Sequence, residues 1–266
     1  MASANLPPMP RAEASPGAQP VRDAATVILV RSVGGVRHVL MGQRGHGAAF
    51  MPSKYVFPGG GVDPSDEGIP LAAPPASMLG PLDEGAAPGS GRALLAAAIR
   101  ELWEEAGLML SRPGDWPAPS IPAPWAAFAG ARQIPDASGL SFVFRAITPP
   151  GRTRRYDARF FMADAVRIAG DPLDFSRATD ELSHLHWVPL QDARRLNLPF
   201  VTEVVLAEVA HRLASDGSSG GVPFFDNSGP EPCFRRLGQG ADGAVSGGTR
   251  DAHRPAGILP GTAEPT

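Results

Sequence analysis

Apolar positions along this chain follow two periods, and the change from one to the other places the elements. Residues 24–30 (Ala-Ala-Thr-Val-Ile-Leu-Val) form an unbroken, β-branched run with the length of a buried strand. Gly34 and Gly35 turn the chain, and residues 36–41 return as the second strand of a hairpin. Residues 44–51 read as a loop. A short strand follows at 55–57, and Pro58 with Gly59, Gly60 and Gly61 ends it. The period then lengthens. Over residues 92–106, Leu95, Ile99, Leu102 and Ala106 share one stripe of a helix. Ser90 is placed to cap its start and Gly107 its end. Residues 125–129 read as a short helical segment, and residues 141–147, 159–162 and 185–188 as strands. Residues 199–213 read as a last helix with Val201, Val204, Val205 and Val209 on its apolar side. This order predicts an α/β fold with a mixed sheet, not a βαβ repeat.

Composition sets the boundaries. Glycine and proline are both high, at 31 and 30, and much of that excess lies in residues 1–22, 64–91 and 215–266. That leaves one folded domain over residues 23–213, with 64–91 as an inserted loop holding one helical turn at 76–79. Residues 1–22 are expected as a disordered tail. Residues 214–266 are expected as mostly disordered, with the apolar clusters at 222–225 and 232–234 able to dock on the domain. The insertion is taken as peripheral, so removing residues 68–88 should leave the fold and shift substrate preference.

Charge and cysteine narrow the function classes. A net charge of -3 gives no basic surface for nucleic acid. Cys233 is the single cysteine, so no intramolecular disulfide forms and a cytoplasmic setting is expected. No apolar leader and no run of about 18–20 apolar residues is present, so no membrane partner is expected.

The chemistry concentrates in Arg100-Glu101-Leu102-Trp103-Glu104-Glu105-Ala106-Gly107-Leu108. Glu101, Glu104 and Glu105 stand at i, i+3 and i+4, on one side of the helix and away from its apolar stripe, which predicts outward-facing carboxylates. Like charges so placed cost roughly 0.2–0.5 kcal/mol per pair, and a divalent cation removes the repulsion. Hard carboxylate oxygens suit Mg²⁺ or Mn²⁺. An isolated Glu-x-x-Glu-Glu is usually a solvated helix face. Here it follows the turn Phe57-Pro58-Gly59-Gly60-Gly61-Val62-Asp63, whose backbone N–H groups are expected to approach phosphate oxygens. Arg100 is expected beside Glu104, outside the middle of the carboxylate face, where it fixes that side chain's orientation. Glu104 or Glu105 is the group to orient or deprotonate an attacking water. Arg155 and Arg159 would share a strand face and meet an acidic substrate, and Arg44 is a third candidate grip. Asp180 and Glu181 are further acids with no local sign of a role.

These residues closely resemble the Nudix hydrolase family. The second half of the family's box matches from Arg100 through Leu108. In the first half Gly60 takes the leading glycine, Val62-Asp63 matches the usual pair, and the next acid falls on Asp66, or on Glu67 if the start shifts to Gly61. About two dozen residues beyond the usual seven then separate this acid from Arg100. The resemblance implies an α/β/α sandwich around a mixed sheet, metal ligands at Glu101, Glu104 and Glu105, and Mg²⁺ or Mn²⁺ as cofactor. It also implies a small-molecule nucleoside diphosphate derivative as partner, with a homodimer compatible. Val56-Phe57-Pro58-Gly59-Gly60, Ile147-Thr148-Pro149 and the stretch from Arg155 to Phe161 further resemble the coenzyme A diphosphatase-like branch, which carries an insertion inside the box. That branch implies cleavage of coenzyme A or acyl-coenzyme A to phosphopantetheine species and adenosine 3',5'-bisphosphate. Two alternatives stay open. One is hydrolysis of another diphosphate (a nucleotide sugar, a dinucleotide, ADP-ribose or NADH), and the other is a noncatalytic binding domain of the same fold.

Overall fold

The computed structural model of the chain describes residues 19–48, 51–72, 76–85, 89–117, 120–215, 220–229 and 231–238. The tails expected over residues 1–18 and 239–266 lie outside the described residues. The predicted hairpin is formed by β1 (Val21–Val33) and β2 (Val36–Arg44), with Gly34 and Gly35 at φ 56° and 80° in its turn. Next come β3 (Tyr55–Val56) and β4 (Gly59–Gly61). The insertion contributes α1 (Ala76–Asp83) and leads into α2 (Ser90–Ala106). Then follow β5 (Met109–Pro113), α3 (Ala126–Gly130), β6 (Gln133–Pro135), β7 (Ser141–Ile147), β8 (Arg155–Asp164) and β9 (Ile168–Ala169). The described chain finishes with β10 (Leu182–Pro189), α4 (Phe200–Ala214), β11 (Val222–Asp226) and β12 (Cys233–Leu237).

The main sheet runs β10-β2-β1-β8-β7-β11-β12, with β3 paired to β2 and β4 paired to β1. The pairs β1 with β8 and β7 with β11 are parallel, whereas β1 with β2, β2 with β10 and β7 with β8 are antiparallel. Alternation along β1 sends Ala25, Val27 and Leu29 to one face and Ile28 and Val30 to the other. The first set packs with Leu94, Leu95, Ile99 and Leu102 of α2. The second packs with Val205 and Val209 of α4. The result is the α/β/α sandwich that the resemblance implied.

Several boundaries differ from the sequence reading, each because of a long-range contact. β1 begins at Val21, inside the expected tail, because β8 pairs with it from Val21↔Arg155 onward. The sheet continues past residue 213. Residues 222–237 add β11 and β12, and Val222, Phe224 and Leu237 are buried in the core on the α2 side. Gly89, at φ 80°, precedes α2 in place of a capping serine, and the buried Ser90 hydroxyl has no partner. Asp83 at the end of α1 accepts the Gly91 N–H at 3.0 Å, so one open donor of the first turn is met from across the insertion.

The insertion is not peripheral. Its helix α1 is longer than the single turn expected, and Ile69, Met78 and Leu82 are buried in the core beneath α2. Arg145 donates to Glu84 O at 2.6 Å, and the Trp125 indole donates to Ser65 O at 3.1 Å. Removal of residues 68–88 is therefore expected to unfold the domain instead of retuning it. The single variant Leu82→Ala should lose about 2–5 kcal/mol in urea unfolding. A loss within about 0.5 kcal/mol, the range of ordinary surface substitutions, would show that α1 is loosely attached.

Candidate functional site

The turn glycines form strand β4, whose register with β1 is Ala24↔Gly61, Ala25↔Gly60 and Thr26↔Gly59. Helix α2 crosses directly over it. A Cβ on Gly60 would lie 2.5 Å from the Glu101 carboxyl carbon, so any side chain here would push that carboxyl group aside. The Gly59 N–H donates to Glu105 Oε2 at 2.7 Å, and Gly61 O accepts from Arg100 Nη2 at 2.8 Å. The Gly59 N–H, one of the groups expected near phosphate, is thus committed to the acidic helix. The glycine strand cradles α2 in the first instance.

The carboxylates do not all face outward. Glu105 is 1% exposed, the Glu101 side chain 12% and the Glu104 side chain 38%. The close approach of β4 buries the first two. Arg100 lies at the centre of the cluster, not beside it. Its Nε and Nη2 donate to the two oxygens of Asp66 at 2.8 and 3.0 Å, and Nη1 donates to Glu101 and Glu104, each at 2.8 Å. With Gly61 O included, all five guanidinium donors have acceptors. All of them are engaged within the protein, so Arg100 positions the carboxylates around it. The pull comes from Asp66, itself 1% exposed, which also accepts the Asp63 N–H at 2.8 Å. Asp66 therefore occupies the acidic place before the insertion. Glu67 is exposed and takes no part in the cluster.

Electrostatics follow from this burial. Desolvation pushes Glu105 up to about 8, with Glu101 and Glu181 adding to the rise against the Gly59 N–H and Arg44. Desolvation also pushes Glu101 up to about 7, against the opposing pull of Arg100. Burial alone would lower the Arg100 pKa, but the Asp66 hydrogen bond and the charges of Glu101, Asp66 and Glu104 raise it. The cluster is short of positive charge.

Arg44, the last residue of β2, faces Glu181 across the β2–β10 pairing, and its Nη2 lies 3.0 Å from Glu181 Oε1. Glu181 raises the pKa of both Glu101 and Glu105, so this fourth carboxylate belongs to the same field. Its place depends on strand register, which no local pattern announces. Arg155 and Arg159 do share the sheet face on which α2 packs, yet they are not brought to the carboxylates. Arg159 is fully buried, paired with Asp23 and Asp157. Arg155 donates to Thr148 O at 3.1 Å. Asp157 also pairs inside the protein, at 2.7 Å, with Arg145, a residue the sequence reading missed.

Among the described residues, no three His, Cys, Asp or Glu side chains are yet drawn together as metal ligands. The donor set nevertheless fits a hard divalent cation. Glu101, Glu104 and Glu105 offer only oxygens, and burial leaves Glu101 and Glu105 in need of positive charge. Among the described residues no helix is long and apolar enough to cross a membrane.

Comparison with known proteins agrees with this geometry. The chain is similar to acyl-coenzyme A diphosphatase NUDT19 of Gallus gallus, 31% identical over 206 residues, covering 53% of this chain and 54% of that protein. It spans about half the length of the curated relatives it matches. The crystal structure of a NUDIX hydrolase from Alicyclobacillus acidocaldarius superposes with a TM-score of 0.54 at 24% identity, covering 74% of this chain and 97% of that one, which supports the fold. The family model described as the NUDIX domain matches residues 20–209. With most of the chain inside that match, this protein belongs to the Nudix family.

Proposed function

We propose that this chain is a divalent-cation-dependent hydrolase of nucleoside diphosphate derivatives, with coenzyme A or acyl-coenzyme A as its substrate. The observation that carries the reading is the trio Glu101, Glu104 and Glu105 on one side of α2, with Glu101 and Glu105 packed against β4 and pushed up in pKa. The similarity to an acyl-coenzyme A diphosphatase supports the substrate. Glu101, Glu104 and Glu105 would hold Mg²⁺ or Mn²⁺, which when bound would supply Lewis-acid polarisation of the phosphoryl group and a lowered pKa for water.

The chain's own groups divide the remaining work. Glu105, held by the Gly59 N–H, and Glu101, held by Arg100, are the two buried carboxylates. Glu104 is the most exposed of the three and is placed to take the proton of the attacking water. Arg44 is the cation able to meet the diphosphate, because its partner Glu181 is 56% exposed and readily rehydrated. Water attacks one phosphorus, the bridging P–O bond breaks, and the second phosphate leaves. From coenzyme A this yields 4'-phosphopantetheine and adenosine 3',5'-bisphosphate.

Incubating the purified chain with coenzyme A, acyl-coenzyme A, NADH, ADP-ribose and a nucleotide sugar, with and without Mg²⁺ or Mn²⁺, tests this directly. Phosphopantetheine products are expected from the first two, and none after chelation. Cleavage confined to another substrate would replace the coenzyme A reading, and full turnover in chelator would end the cation role. The variant Glu104→Gln should cut kcat by at least about 10²-fold with an unchanged melting temperature. Undiminished turnover would remove Glu104 from the reaction.

The raised carboxylates also predict a pH signature. In the unfolded chain Glu101 and Glu105 titrate at their ordinary value of 4.5, whereas folded they titrate at about 7 and about 8. Between these limits the folded chain retains protons that the unfolded chain has released. Their contribution to stability is therefore intact at acid pH and falls as pH rises through about 8. In chelator-treated protein, the melting temperature should decline less across this window for Glu105→Gln than for the parent. Mn²⁺ should raise the parent most at the alkaline end. Parallel curves for the two proteins would refute the assignment.

A further inference from the structure

A second polar cluster lies outside the carboxylate site. Where β1 and β8 begin side by side, Gln19, Arg22, Thr153, Arg154, Arg155 and Tyr156 line a cavity of about 270 Å³. Three of the lining residues are arginines, and none is acidic. The next acids along the two strands are already engaged: Asp23 pairs with Arg159, and Asp157 pairs with Arg145 and Arg159. They do not neutralise the cavity arginines.

Arg155 makes this more than a basic patch. It is 8% exposed, its Nε donates to Thr148 O at 3.1 Å, and its Nη2 is buried without any hydrogen-bond partner. A buried charged donor with no acceptor is uncommon and needs an explanation. An oxyanion in the cavity supplies the acceptor, and the exposed Arg22 and Arg154 can close on it from the solvent side.

We infer that this cavity is an anion site that takes a phosphate monoester. Its volume falls below the roughly 300–1,000 Å³ of pockets that bury a whole drug-sized ligand, so it suits one phosphate-bearing group. The register Val21↔Arg155 puts it three residues along β1 from Ala24, the partner of Gly61. That is about 10 Å at roughly 3.3 Å per residue. The phosphate can belong to the hydrolysed substrate, as the ribose 3'-phosphate of coenzyme A, or to a separate ligand. Only the first source rests on the proposed function.

The test uses the full chain in chelator, so binding is read without turnover. Adenosine 3',5'-bisphosphate and inorganic phosphate are titrated by calorimetry into the parent, the double variant Arg22→Ala/Arg154→Ala, and the control Arg195→Ala. Arg22, Arg154 and Arg195 are all exposed, so folding should survive in each. Bisphosphate affinity should fall at least about tenfold in the double variant, the scale of one lost charge-assisted contact, and stay level in the control. Equal affinity in all three proteins, or no binding to the parent, overturns the site. Steady-state hydrolysis of coenzyme A and dephospho-coenzyme A then separates the sources. A KM raised only for coenzyme A assigns the phosphate to the substrate. Unchanged KM values alongside weakened bisphosphate binding assign it to a separate ligand. If neither compound is hydrolysed, the coenzyme A reading fails while the binding result still decides the site.

Discussion

The arrangement depends on one guanidinium. Arg100 joins Asp66, Glu101, Glu104 and the Gly61 carbonyl, and so ties the strand before the insertion to the helix after it. Asp66 and Arg100 are 34 positions apart and almost fully buried. Breaking such a pair by removing one partner typically costs about 3–5 kcal/mol, because a charge is left uncompensated. Loop length is cheap by comparison, since each doubling costs only about 0.6 kcal/mol in closure entropy. An insertion can therefore lengthen the segment between Asp66 and Arg100 without disturbing the carboxylates. The chain then uses the added residues: Leu82 joins the core, and Asp83 meets an open donor at the start of α2.

The same closeness sets the chemistry. Glycine at position 60 matters for the absence of a side chain more than for backbone freedom, because it lets the sheet reach the Glu101 carboxyl group. That contact takes Glu101 and Glu105 out of water, and burial raises both. Arg100 supplies one positive charge to a group that also contains Asp66 and Glu104. The folded chain thus carries an electrostatic deficit that a divalent cation would offset. Stability and cation affinity are two readings of that deficit.

What the sequence made legible follows from the range of the interactions involved. Arg100 through Glu105 lie on one helix, so their spacing alone brings them together. The strand at Ser141–Ile147 is readable because an apolar run ends at Thr148-Pro149-Pro150, and the last helix because Pro199 marks its start. Ser90 misleads because a serine before a helical run usually caps it, and here Gly89 and Asp83 take over. The strand pair at residues 222–237 is hidden by flanking Gly, Ser and Pro. Its stability comes from pairing with β7 and from Phe224, stacked between Arg145 at 4.4 Å and Arg235 at 4.6 Å. Arg159 misleads differently: an arginine on a strand suggests surface, but Asp23 and Asp157 neutralise it inside.

Two arginines near the glutamates show how burial sorts roles that residue type cannot. Arg100 has every donor satisfied within the protein, and turning Nε or Nη2 from Asp66 to a ligand would strand a buried carboxylate. Arg44 pairs with Glu181, which is more than half exposed, and such pairs contribute only about 0–1 kcal/mol. Its Nε is buried and unpaired. A phosphate oxygen offered to Arg44 therefore replaces a weak contact and meets an open donor. The carboxylate that Arg44 releases is the one whose field already reaches Glu101 and Glu105. Any anion that Arg44 took up would therefore also free a fourth acid at the meeting of β2 and β10.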